Sequence, residues 1–398
     1  MPGPRHVGLN ALFLDPGVSG GTETYLRALV PALARRFPDV RFTVATTRRG
    51  ADALRRDGWE DLVGIEALPA DEGRRVERLV AEQARLPVLA RRRGWDVLHS
   101  LASVAPLRAG VPSVITVHDV TFFKLRTFGR VTTFGMQQIV ARAARHADVL
   151  VAVSAAARDE ICEVLDLSPG LFHVVPHGLG RRASAEAMPA SEVRQRHDLG
   201  DSRVALCVAA KRPHKNQELL VRALAHLPAD VAVVCAGHEE GYEVRLRELA
   251  RELGVKERLR LPGYVPDAEL EGLWGTAACA VFPTLAEGFG LPVLEAMDRG
   301  VPVACSDIPV LREVGGEPAL YFDPHDPRAA AAAIQQAMGD TARARAGRAR
   351  AAGYSWDAAA EQTFEAYERA FSRSRRAGRP SRAPAGSSRA SGGRTPPS

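Results

Sequence analysis

The chain is poor in aromatic residues, lysine and cysteine and has no long apolar run, and each scarcity narrows what it can be. Phe, Trp and Tyr make up 6% of its 398 residues, so its core is built from aliphatic strands and Ala-rich helices. The five cysteines, Cys162, Cys207, Cys235, Cys279 and Cys305, lie far apart and form no Cys-x-x-Cys pair. That spacing excludes a disulfide frame or a cysteine metal site and reads as small core residues in a reducing compartment. No run approaches the roughly 18 apolar residues a membrane span needs, and MPGPRHVGLN lacks the apolar segment of a secretory leader. A cytoplasmic protein is expected, with peripheral contact at the inner face of the plasma membrane left open.

The formal charge of +6 is confined to one end. Seven arginines and no acid follow residue 372, leaving the preceding residues near −1. The Ser/Pro/Gly/Arg-rich segment 373–398 is expected to be disordered, because it has too little apolar surface to offset the entropy of ordering. A nucleic-acid role would rest on this tail alone, so none is expected of the folded part.

What is present is an alternation of short aliphatic runs with longer helical patterns, the signature of parallel sheets joined by crossovers. Strands are expected over 7–14, 41–46, 96–99, 113–118, 148–153 and 172–175, then over 203–209, 230–236, 258–261, 277–282, 301–306 and 319–322. The fold class is therefore α/β, with two doubly wound Rossmann-like domains facing across a cleft. The first domain is expected over 1–180 and the second over 181–355, with a polar linker in 177–200 and a final helix over 356–372.

Ligands of open parallel sheets bind beyond the carboxyl ends of the strands, so those ends carry the functional reading. Gly20 and Gly21 precede a helix over 22–35 and would let a phosphate approach its amides, although a plain turn explains them equally. Gly17-Val-Ser19-Gly-Gly21 also fits the hydrolase elbow, but it follows the first strand of the chain, where no upstream strand can supply an oxyanion hole. Lys211 and Lys215, two of only four lysines, lie with Arg212 in KRPHKN just before a helix over 217–227 and read as a diphosphate clamp. Glu287-Gly288-Phe289-Gly290-Leu291 opens a helix at Pro292, so its amides are free to cradle oxygens; Glu287 and Glu295 flank that entry as candidate hydroxyl holders. His118 and Asp119 close an apolar strand, with His99, His177 and His214 competing for the histidine's role. Base and sugar contacts are expected around Gly263-Tyr264-Val265. No Asp-x-Asp pattern occurs, and no metal and no resident cofactor is called for. The stretch 74–93 mixes Leu and Val with seven arginines; it reads as a solvated helix interrupted by Pro87, with docking to an anionic membrane as the sharper alternative.

In order along the chain, Gly20-Gly21 with ETYLRALVPAL, VITVHD, VSAAARDEI, VVPHG, KRPHKN, PGYVPDAEL, EGFGLPVLEAM and VPVACSDIPVLREVGG resemble the family 4 glycosyltransferases of the GT-B fold. KRPHKN looks most similar to bacterial mannosyltransferase-like members that build surface polysaccharides. The resemblance implies retaining transfer of a hexose from a nucleoside-diphosphate sugar to a glycan, lipid-linked or small-molecule acceptor, with the donor on the second domain and the acceptor on the first. It implies Arg212 and Lys215 at the diphosphate, Glu295 at the ribose, Glu287 at the donor sugar, His118 beside the sugar and diphosphate, and a last helix that returns to the first domain. Ala209-Ala210 departs from the Gly-Arg or Gly-Asn of many relatives, which leaves the second cation open between Lys211 and Arg212. An epimerase or sugar phosphorylase on the same architecture, or a non-catalytic sugar-nucleotide-binding subunit, is the competing reading.

Overall fold

The computed structural model describes residues 3–17, 20–70, 75–124, 130–180, 186–239 and 241–376. Ser19, residues 181–185 of the expected linker, Arg74 and residues 377–398 of the expected tail lie outside them.

Among the described residues two all-parallel sheets form. The first has the order β3-β2-β1-β4-β5-β6-β7, from β1 (His6–Asn10), β2 (Arg41–Thr47), β3 (Gly64–Leu68), β4 (Val97–Ser100), β5 (Ser113–Val117), β6 (Val149–Ala152) and β7 (Phe172–Val174). The second has the order β10-β9-β8-β11-β12-β13, from β8 (Arg203–Val208), β9 (Val231–Ala236), β10 (Leu259–Arg260), β11 (Ala277–Phe282), β12 (Val303–Ser306) and β13 (Leu320–Phe322). Strands β4, β6, β9 and β12 are buried throughout, as parallel strands covered on both faces must be. Each order reverses at one switch point, between β1 and β4 and between β8 and β11, which is where doubly wound sheets open a crevice.

Three differences from the sequence reading have local causes. Strand β3 is not expected from the sequence, because GIEAL is a half-exposed edge strand whose partly buried Glu66 pairs with Arg93 at 2.6 Å. The first strand stops at Asn10; residues 11–14 stay apolar because they form a buried turn, in which the Leu12 amide donates to Asn10 Oδ1. Pro87 does not break its helix. A π turn over Ala81–Arg85 joins Arg75–Val80 to Leu86–Arg93, and the Leu86 amide bonds to the Ala81 carbonyl just before the proline. The wider turn carries Glu82 inward, so this helix is not solvated all round.

The last helix, Trp356–Arg376, returns to the first domain and packs on the first helix, Gly21–Arg36. Phe37 stacks on Phe364 with ring centres 4.0 Å apart, and Arg35 and Arg36 pair with Asp357 and Glu361. It extends through residues 373–376 of the segment expected to be disordered, anchored where Arg373 donates to the Asp148 carbonyl. Four of the five cysteines are buried and Cys162 is half-buried, all as free thiols.

Gly8 shows how tightly the first sheet is covered: a Cβ there would lie 1.9 Å from the Trp95 ring. Gly8→Ala is therefore expected to lower unfolding stability by about 1–3 kcal/mol, the usual cost of overpacking, in chemical denaturation. An unchanged midpoint would show that Trp95 can move aside.

Candidate functional site

Both rims of strand ends face each other, and the contact between them is built from buried polar bonds. Ser154, at the end of β6, donates to the Gly288 carbonyl at 2.9 Å and also caps its own helix at Ala157. The carboxylate of Glu313, from the second domain, accepts the Ala155 and Ala156 amides at 2.8 and 2.7 Å, where it meets the positive end of the first-domain helix Ala155–Leu165. A Cβ on Gly288 would lie 2.2 Å from the His118 carbonyl oxygen, so this close approach demands glycine.

Around that contact lies a ring cluster. Tyr25, one turn into the first helix, meets His118 edge-on at 4.9 Å and His177 at the same separation. His177 in turn meets Phe289 at 4.9 Å and Trp356 at 5.4 Å. Trp356 Nε1 donates to the Leu179 carbonyl and so ties the last helix to the linker. His118 Nε2 lies 2.9 Å from the Leu101 carbonyl, which assigns the proton to that nitrogen and leaves Nδ1 as the acceptor. Burial lowers the pKa of His118, outweighing the opposite pull of the Leu101 carbonyl and Asp119. His177 is lowered well below its usual range by burial and then by His118, and its Nδ1 has no hydrogen-bond partner. His99 lies deeper, held by Tyr367 and Thr116 at 2.8 Å each, and burial lowers its pKa to about 3. It is a neutral core residue, which leaves His118 at the rim.

On the second domain the KRPHKN segment is a short 3₁₀ turn, Pro213–Lys215, closed by Asn216 in the left-handed region at φ 58°. Asn216 Nδ2 donates to the Pro283 and Pro324 carbonyls at 3.0 and 2.8 Å, and Thr284 Oγ1 lies 3.1 Å from the His214 carbonyl. These bonds fasten the loop after β8 to the loop after β11. As a result Lys215 Nζ lies 2.5 Å from Glu287 Oε2, both partly buried in a narrow crevice lined also by Ala209, Thr284 and Gly290. Gly290, at φ 93°, caps the helix Leu291–Asp298 and requires glycine. His214 is lowered mainly by burial and then by Lys215, against the raising fields of Glu287 and Asp119.

The remaining candidates divide between rim and core. Lys211 is fully buried, and its Nζ donates to the Gly237 and Pro262 carbonyls at 2.7 Å each. It braces the loops after β9 and β10, while Arg212 beside it is exposed. Gly263 accepts the Gly237 amide; Tyr264, 67% exposed, stacks on His238 with ring centres 5.0 Å apart; the Val265 side chain belongs to the core. Phe289 is likewise core, so only its backbone can meet a ligand. Asp119 Oδ1 accepts the Thr121 amide at 2.9 Å and caps the following turn. Glu295 is half-buried against the linker, where a Cβ on Gly180 would lie 2.2 Å from its Oε1, and burial raises its pKa. Open space surrounds Gly20 and Gly21 at the start of the first helix. The sequence reading did not single out Tyr25, Ser154, Glu313 or Asn216, although all four lie in motifs it quoted.

Comparison with known proteins gives a consistent picture. The model of the family "Glycosyl transferases group 1" matches residues 190–355, and that of "Glycosyltransferase Family 4" matches residues 19–180. The O-antigen chain mannosyltransferase B of Escherichia coli is 37% identical over 198 residues, spanning 47% of this chain and 50% of that protein. The D-inositol 3-phosphate glycosyltransferase of Kineococcus radiotolerans is 30% identical over 404 residues, spanning 88% of this chain and 91% of that protein. Among solved structures, sucrose-phosphate synthase from Thermosynechococcus elongatus superposes with a TM-score of 0.72 at 21% identity, covering 93% of this chain and 100% of that one. The Anabaena protein HepE, in complex with UDP and glucose, gives 0.70 at 20% identity, covering 91% and 98%.

The imidazoles of His99, His118 and His177 carry a direct prediction. Their pKa values are all lowered, so each is neutral in the fold while its unfolded counterpart takes up a proton near pH 6.5. In an NMR titration, His118 and His177 should shift only below pH 6.5 and His99 not at all above pH 5. Stability should accordingly fall as the pH drops through 6.5. A His118 signal that titrates above 6.5 would contradict its burial.

Proposed function

Since the chain belongs to the group 1/family 4 glycosyltransferases, enzymes that move a sugar from a nucleotide-sugar donor, we propose that it is a retaining hexosyltransferase with its donor on the second domain and its acceptor on the first. The observation that carries this reading is the Lys215–Glu287 pair at the mouth of the crevice, 2.5 Å apart and facing the rim that bears His118. One is the cation a diphosphate needs, and the other is the carboxylate a sugar's hydroxyls need. The likeness to mannosyltransferase B makes mannose the first hexose to test. The acceptor is a glycan, a lipid-linked sugar or a small hydroxylated molecule.

The chemistry follows from where charge develops. As the bond between the sugar's anomeric carbon and the phosphate oxygen breaks, the carbon gains positive and the diphosphate negative charge. Lys215, Arg212, the Gly21 amide and the amides from Gly288 to Leu291 are fixed at that leaving group, so they stabilise it without reorganising at the moment of reaction. When the donor enters, Lys215 exchanges part of its bond to Glu287 for phosphate oxygens, and Glu287 turns to the sugar hydroxyls. His118, neutral and with Nδ1 as acceptor, takes a further sugar hydroxyl. The acceptor hydroxyl attacks from the face the diphosphate leaves, and its proton passes to the departing phosphate oxygen. Glu295 holds the ribose from the helix behind the loop. The exposed His238–Tyr264 stack offers a surface for the base, while Lys211 shapes that wall from beneath through its two carbonyl bonds.

A thermal-shift panel of UDP, GDP, ADP and TDP should give one clear stabilising nucleotide, because a ligand bound to the native state alone raises the melting temperature. With the matching donor, Lys215→Ala and Glu287→Gln should each lower turnover by about 10²-fold or more. Turnover that needs no acceptor would identify an epimerase, and turnover that needs inorganic phosphate would identify a phosphorylase. Full activity in Lys215→Ala would remove the clamp.

A further inference from the structure

A second cavity, of about 280 Å³, opens in the first domain between the helical stretch 75–93, the helix Arg130–His146 and the loop after β4. Its size approaches that of the smaller ligand pockets, about 300 Å³. Its walls are mostly apolar, with Phe13, Val76, Leu79, Val104, Met136 and Ile139 among them, and Arg78 lines it as well. The π turn places one carboxyl in this lining: Glu82 is 6% exposed, and its Oε1 accepts Asn10 Nδ2 at 2.7 Å. Asn10 also donates to Ser100 Oγ at 3.1 Å, so Glu82 is seated where β1 and β4 end, the switch point of the first sheet. Among the described residues no other hydrogen bond engages this carboxyl.

We propose that this cavity holds the apolar aglycone of an amphiphilic acceptor, with Glu82 receiving a hydroxyl of the acceptor's sugar at the strand-end side. The inference rests on the glycosyl-transfer reading and names the acceptor class for it. Three observations support it. A carboxyl that desolvation raises to about pKa 7 can both accept from and donate to a hydroxyl near neutrality, and it disfavours an anionic group. The loop that lines the cavity through Ala102 and Val104 also holds His118 through the Leu101 carbonyl, so the cavity adjoins the histidine at the facing rim. On the outer side, Val76 is 74% and Phe134 64% exposed on the two helices that wall the cavity, which gives a longer chain an apolar path to solvent.

The test is calorimetric titration of the nucleotide-loaded protein with methyl, butyl, hexyl and octyl mannosides and glucosides, below micelle-forming concentrations. Affinity should rise with chain length by up to about fourfold per methylene, then level off once the cavity is filled. Ile139→Asp should abolish that rise, with Met136→Ser as the variant to use where the aspartate prevents folding. Glu82→Leu should weaken methyl and octyl glycosides alike, by about tenfold, and keep the chain-length rise. Equal affinity across the series, or a rise that persists in Ile139→Asp, in protein that still binds a nucleoside diphosphate, overturns the cavity's role and leaves glycosyl transfer standing. Protein that binds no nucleoside diphosphate overturns both.

Discussion

The architecture depends on the seating of Gly288 against the His118 carbonyl. That contact tolerates no side chain, and it is locked by Ser154 from one side and by Glu313 from the other. Because both rims are fixed there, the Gly-rich loop that follows β11 cannot drift from the histidine that follows β5. The ring cluster of Tyr25, His118, His177, Phe289 and Trp356 fills the space behind it and is dry enough to keep its imidazoles neutral. Loss of the contact would separate the Gly288 loop from the facing rim without unfolding either sheet.

A second constraint sits inside the second domain. Lys215 can lie beside Glu287 only because Asn216 and Thr284 pin two loops that are some 70 residues apart in sequence. The pair keeps each member's charge compensated while no ligand is bound, which spares the crevice an isolated buried charge. A ligand that brings both phosphate and hydroxyl groups supplies each of them with a new partner at once. Under the proposed donor site, a ligand that brings phosphate alone would leave Glu287 to find another partner, so the pair would favour an intact nucleotide sugar over a bare nucleotide.

Much of this was legible in sequence because it is local. Strand ends, helix entries and glycine-bearing turns are set by a few neighbouring residues, so KRPHKN and EGFGLP could be placed as loops at the strand ends, and most strands fall within one or two residues of expectation. What could not be read depends on residues far apart. Glu313 looks like an ordinary helix acid until the first domain's helix is docked on it. Lys211 looks like the equal of Arg212 until β9 and β10 bring two carbonyls to its ammonium. The stretch 74–93 reads as a basic helix broken at Pro87; the π turn just before the proline is what turns Glu82 inward. Strand β3 was missed for the opposite reason, since an edge strand exposes enough polar surface to blur its pattern.

The proposed donor site opens the Lys215–Glu287 pair where the two sheets face each other, with the diphosphate on Lys215 and the sugar on Glu287. It is tested most directly by a crystal structure with the nucleoside-diphosphate sugar that stabilises the protein most. The account predicts phosphate oxygens within hydrogen-bonding distance of Lys215 Nζ, Glu287 turned to the sugar, and His118 beside it. A nucleotide bound elsewhere, with the Lys215–Glu287 pair still closed, would contradict it.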